Sequence, residues 1–151
     1  MDLETYKCEP IILRNTYDAF CFESIGPKGG IQKVIYFYPI ILIGNSYVNL
    51  SFGDWDEKTK EVNDESISNN GDTSKILATV AFTALQYARQ HDRKPIFVMG
   101  TCRARTRLYQ MALNAHRLLV ESLFVVSGLI AGEWQEFVPG RNYTAFMFSI
   151  R

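Results

Sequence analysis

The chain has 151 residues, 47% of them hydrophobic and 21% charged, enough to bury one core. Sixteen Lys and Arg balance sixteen Asp and Glu, so bulk charge gives no footprint for nucleic acid or a membrane surface. Three cysteines, Cys8, Cys21 and Cys102, lack C-x-x-C spacing and argue for reduced thiols in a cytoplasmic protein, with no disulfide framework.

The opening MDLETYKCEP carries neither a basic n-region nor an apolar h-region, and no secretory signal is expected from it. Strands are expected from about residue 18: DAFCFESI at 18–25, then the turn GPKGG, then IQKVIYFYPI, with Pro39 marking an edge or an end. The longest apolar run, YFYPIILI at 36–43, is too short to span a bilayer. SYVNLSFGDW makes a third strand. The segment from Asp54 to Asp72 holds seven acidic residues and two lysines, which reads as an exposed excursion with a short strand around EVNDESIS.

Asp72 is placed to N-cap a helix over TSKILATVAFTALQYARQH, in which Ile76, Leu77, Val80, Ala81, Ala84, Leu85 and Ala88 share one face. His91 suits the negative end of that helix. The strand KPIFVMG follows, then a second helix with Leu108, Ala112, Ala115 and Leu119 as its buried stripe. SLFVVSGLIAG, EWQEFVP and NYTAFMFSIR close the chain as short strands. The expectation is a single domain over 1–151 of the α/β (α+β) class: a mixed, largely antiparallel sheet with two main helices, in the core order β-β-β-α-β-α-β-β.

The stretch GTCRARTRLYQM at 100–111 raises the functional question. Arg103, Arg105 and Arg107 stand where a strand ends and a helix begins, and a cation at a helix N-terminus opposes the macrodipole at a cost of about 0.3–1 kcal/mol. An anion would offset it. One reading is a ligand clamp, in which Arg103 and Arg107, four apart, converge on a phosphate or carboxylate and Thr101 adds a hydroxyl. The other is neutralisation by Asp64 and Glu65 of the acidic excursion. Cys102 reads as a buried, inert thiol. The Asp54/Asp56 spacing lacks the glycine of a calcium loop, no His/Cys cluster has zinc spacing, and GDTSK lacks the P-loop frame, so no metal is expected.

From about residue 45 onward the chain resembles the core of the GNAT-type N-acetyltransferases. NDESISNNGDTSKILATV is similar to their pyrophosphate loop and following helix, and RLY at 107–109 resembles the start of their next helix. The resemblance implies acetyl-CoA as cofactor, held at a loop that includes Asn70 and Gly71, and Tyr109 as general acid. Only Gly71 of that loop's glycine pattern is kept, which disfavours acetyl-CoA. SNNGD, KILATV and ARTRLY together are also similar to a family of small bacterial proteins with no assigned function. Two functions stay open: a vestigial or atypical acyltransferase that binds an anionic small molecule between the 68–74 and 101–107 loops, or a non-catalytic interaction protein, a homodimer or a bacterial regulatory or defence component.

Overall fold

The computed structural model describes residues 4–13, 18–63 and 69–151. In chain order these form β1 (Glu9–Ile12), β2 (Asp18–Gly26), β3 (Gly29–Leu42), β4 (Asn45–Asp56), β5 (Glu61–Asn63), α1 (Thr73–Gln90), β6 (Ile96–Val98), α2 (Arg103–Ala115), α3 (Arg117–Leu123), β7 (Phe124–Ile130), β8 (Glu133–Glu136) and β9 (Ala145–Ile150). The strands join one sheet in the order β1-β2-β3-β4-β6-β9-β7-β8, with β5 on β4 outside that run. It is the mixed, largely antiparallel sheet expected. Among the described residues its one parallel pairing is β4 with β6, at Val48↔Ile96 and Asn49↔Phe97. Parallel neighbours need a long crossover, and α1 lies within it.

Strand alternation sorts the side chains onto two faces. The register Ile35↔Phe52, Phe37↔Leu50, Val48↔Ile96 and Ile96↔Phe148 carries one face across the sheet. All three helices lie against that face. Tyr87 of α1 stacks on Phe37 with centroids 4.0 Å apart, Arg105 of α2 lies over the Phe52 ring, and Val120 of α3 belongs to the same buried cluster. Phe20, Phe22 and Phe37 belong to this core side, whereas Tyr36 and Tyr38 stack on each other on the opposite face.

Three sequence expectations are corrected. Strands begin earlier than residue 18: β1, EPII, pairs with β2. Four residues with a proline carry too little pattern to be read, yet Pro10 is tolerated because β1 is an edge. Pro39 does not end its strand. The β2 register stops at Asp18↔Phe37, so the missing N–H of Pro39 falls outside that ladder, and β3 continues to Leu42 in a hairpin with β4. The second helix breaks at His116 (φ −118°, ψ 29°) instead of running on through Leu119. Its buried positions are Arg105, Thr106, Gln110 and Leu113, and Ala115 is exposed. The expected strand around EVNDESIS is present as β5, with residues 64–68 outside the described residues.

At the end of α1, His91 caps as expected: its Nδ1 is 2.8 Å from the Tyr87 carbonyl and its ring stacks on Tyr87. The flank of α1 away from its apolar stripe is covered by the N-terminal segment. Tyr6 N–H donates to Thr79 Oγ1 at 2.8 Å, and Cys8 Sγ lies 3.6 Å from Thr83 Oγ1.

Candidate functional site

The apolar stripe of α1 faces a cleft. A cavity of about 510 Å³ lies between α1, α2 and the helix-covered sheet face. Thr73, Ile76, Leu77, Val80, Ala81 and Ala84 line it at the spacing of one helix face, opposite Leu108, Met111 and Ala112 of α2. Alanines on both walls do not reach across, so the two helices leave the space between them open. The sheet contributes Leu50, Phe52, Val98 and Phe146 as the floor.

Polar side chains gather at the end where α1 begins. Asn69 and Thr73 flank the start of the helix, and His116 lies with Nε2 3.4 Å from Ser74 Oγ. Lys33 and Arg105 enter from the β4 side. Lys33 is 3% exposed, with Nζ 2.5 Å from Asp54 Oδ1. Strand period explains its position: Ile35 and Phe37 face the helices, so Lys33 does too.

Arg105 is 5% exposed, and backbone geometry accounts for it. Val48 N–H donates to Pro95 O, so Val48, Leu50 and Phe52 turn their main-chain groups toward β6. The β4–β6 register ends at Asn49↔Phe97. Beyond it the Phe52 carbonyl needs a donor, and Arg105 Nη2 supplies one at 2.8 Å. Arg105 Nε also donates to Tyr109 Oη at 3.3 Å, and its guanidinium carbon lies 5.7 Å from the ring centroids of both Phe52 and Tyr109. Each such stacking is worth about 0.5–2 kcal/mol, more where water is excluded.

The structure separates the three arginines. Arg105 enters the cleft, whereas Arg103 and Arg107 sit on the exposed side of α2 and form no ion pair among the described residues. Their expected partners Asp64 and Glu65 lie outside the described residues. Thr101 is exposed, and the turn into α2 is closed by another threonine: Thr106 Oγ1 accepts from Gly100 N–H at 3.0 Å. A Cβ at residue 100 would stand 2.4 Å from Thr106 N, so glycine is required there by contact. Cys102 is exposed at the N-cap of α2, a correction to the buried thiol expected; the tight turn at Gly100 carries it outward.

Asn70 is buried and its amide is committed to the β2–β3 hairpin. Nδ2 donates to Gly29 O at 2.9 Å and Ser24 Oγ at 3.2 Å, while Oδ1 accepts from Lys28 N–H at 2.7 Å. Gly71 follows at φ +74° on the surface. Asp72 holds the N-cap position but its carboxylate does not cap. Oδ2 accepts from Tyr6 Oη at 2.5 Å and Ser24 Oγ at 2.6 Å, and Oδ1 is buried with no partner among the described residues. Two hydroxyls from other elements win the carboxylate from the helix N–H groups. Burial and the Asp72 hydrogen bond raise the Tyr6 phenol above its ordinary value.

The sequence reading missed Lys33 as a cleft residue, although its place in the Ile35/Phe37 alternation carried the signal. It also missed Tyr6 and Ser24, which reach Asp72 from distant elements and leave no local trace.

The profile of a family of unknown function (DUF6934) matches residues 2–151. No curated protein and no solved structure matches the chain.

Proposed function

The chain belongs to the DUF6934 family, which lends it no activity, and we propose that it is a binding domain whose α1–α2 cleft holds a small molecule with an apolar body and an anionic end. One observation carries this: a cavity of about 510 Å³, walled mostly by aliphatic side chains, has Lys33, Arg105 and Tyr109 in its lining. Small-molecule sites have this size and this division, an apolar interior with a few polar groups that fix orientation. Lys33 is paired with Asp54, so among the described residues two cations meet one carboxylate there, and the remaining positive charge favours an anionic group where water is excluded. The resemblance of RLY at 107–109 to a GNAT helix start implies Tyr109, which lines the cleft, as a proton donor. The proposal itself is binding and asks for no covalent step.

Native mass spectrometry of protein purified from its own host tests it. We expect a one-to-one adduct of a small molecule that is lost on denaturation. Bare chain mass, together with no thermal stabilisation by millimolar decanoate or 8-anilinonaphthalene-1-sulfonate, overturns the reading.

A further inference from the structure

The β3–β4 hairpin outruns the sheet that carries it. The β2 register stops at Asp18↔Phe37 and the β6 register begins at Val48↔Ile96, so among the described residues 38–42 and 45–47 pair only with each other. Five strand residues give an arm of about 16 Å. Residues 38–47, YPIILIGNSY, carry no charge, and the tip is apolar: Ile41 is 76% exposed and Ile43 99% exposed. Folding does not account for Ile43. The turn between Leu42 and Asn45 has two central residues at positive φ, Ile43 at 50° and Gly44 at 76°, a pattern that favours Asn-Gly and disfavours a β-branched side chain. An isoleucine held there, in water and against backbone preference, points to a role outside the fold. None of residues 38–47 lines the cleft.

The base of the arm is positive. The end of α1 packs there through Tyr87 on Phe37, and the turn that follows is tied to β4 by Val48 N–H donating to Pro95 O. Arg93 Nη2 in turn donates to Arg151 O at 3.1 Å. Arg89, Arg93, Lys94 and Arg151 thus outnumber Asp18 and Asp92 at this end, a local excess that the balanced charge of the whole chain hides. We infer that the arm docks on an anionic lipid surface, with Ile41 and Ile43 in the headgroup–acyl boundary and the cations among the headgroups. Tyr38 and Tyr47, half-buried along the arm, stand at the level where amphipathic rings favour an interface. The open edges of the arm stay in the hydrated headgroup layer, where their N–H and C=O groups bond water. A second copy fits less well. Two isoleucines offer about 100 Å² each against about 800 Å² per partner in a stable dimer, and tip-to-tip pairing brings two positive rims together.

Cosedimentation of the full chain with vesicles tests the inference, using phosphatidylcholine alone and phosphatidylcholine with about 30% phosphatidylserine. The chain should bind the anionic vesicles, and binding should weaken as salt rises from about 0.1 to 1 M and the Debye length falls from about 10 to 3 Å. Ile43→Asn should cut that binding at least about tenfold while the melting temperature holds or rises, because asparagine suits the turn and loses only the insertion. Ile41→Ser serves if that variant fails to fold. Lys94→Glu should weaken binding at least about fivefold. No cosedimentation with anionic vesicles, equal binding to neutral ones, or equal binding by the parent and Ile43→Asn overturns the inference. Sedimentation velocity that shows a dimer dissociated by Ile43→Asn, with no vesicle binding, also overturns it and gives the tip to a second copy.

Discussion

Arg103, Arg105 and Arg107 differ only by position in the sequence, yet folding gives them different surroundings. Arg105 replaces the strand partner that the Phe52 carbonyl loses beyond β6, and it is buried between two aromatic rings. Arg105→Ala should therefore cost about 2–4 kcal/mol and lower the melting temperature by roughly 5–15 °C, through an orphaned carbonyl and lost stacking. Arg103→Ala and Arg107→Ala, on exposed positions, should stay within about 0.5 kcal/mol of the parent in the same thermal scan. Tyr6 and Tyr87 set a pH dependence. Burial raises both phenols above their ordinary value of 10, with the Asp72 and Asp18 carboxylates adding to the shift. Above pH 10 the unfolded chain releases these protons while the folded chain keeps them, so stability is complete below pH 10 and falls as pH rises beyond it. Denaturant titrations at pH 8, 9.5 and 11 should show that fall, and Tyr87→Phe should flatten it.

At the level of elements, the start of α1 is held by contacts remote in sequence. Asn70 ties the loop before the helix to the β2–β3 hairpin, and the fit is close: a Cβ on Gly26 would stand 1.8 Å from Asn70 O. Asn70→Ala leaves the Gly29 carbonyl and Lys28 N–H without their partner and should cost about 2–3 kcal/mol by chemical denaturation. A parental unfolding midpoint would show that the loop is not anchored through this amide. The apolar period of α1 was legible in its sequence because the helix buries one long continuous stripe. The break at His116 was not. Leu108, Ala112, Ala115 and Leu119 keep a helical spacing straight through it, and periodicity cannot register a change of direction in the chain.

For the whole molecule, the loop and its surroundings argue against acetyl-CoA. Gly71 alone remains of the phosphate pattern, Asn70 is occupied by the hairpin, and the Asp72 side chain stands beside the first turn of α1, bonded to Tyr6 and Ser24. Acetyl-CoA should bind no more tightly than about 1 mM, about −4 kcal/mol, by calorimetry, and low-micromolar binding would restore a coenzyme site. By itself the sequence determined α1 with its apolar stripe, the strands from β2 onward and the mixed sheet, since each follows from local periodicity and turn chemistry that needs no partner. Only the tertiary structure decided which arginine turns inward, that Lys33 and Asp54 pair at the cleft, and that the Asp72 carboxylate leaves its helix for Tyr6 and Ser24. Those outcomes depend on where β6 stops beside β4 and on which hydroxyls arrive from residues 48 and 66 positions away, distances over which a local pattern holds no information.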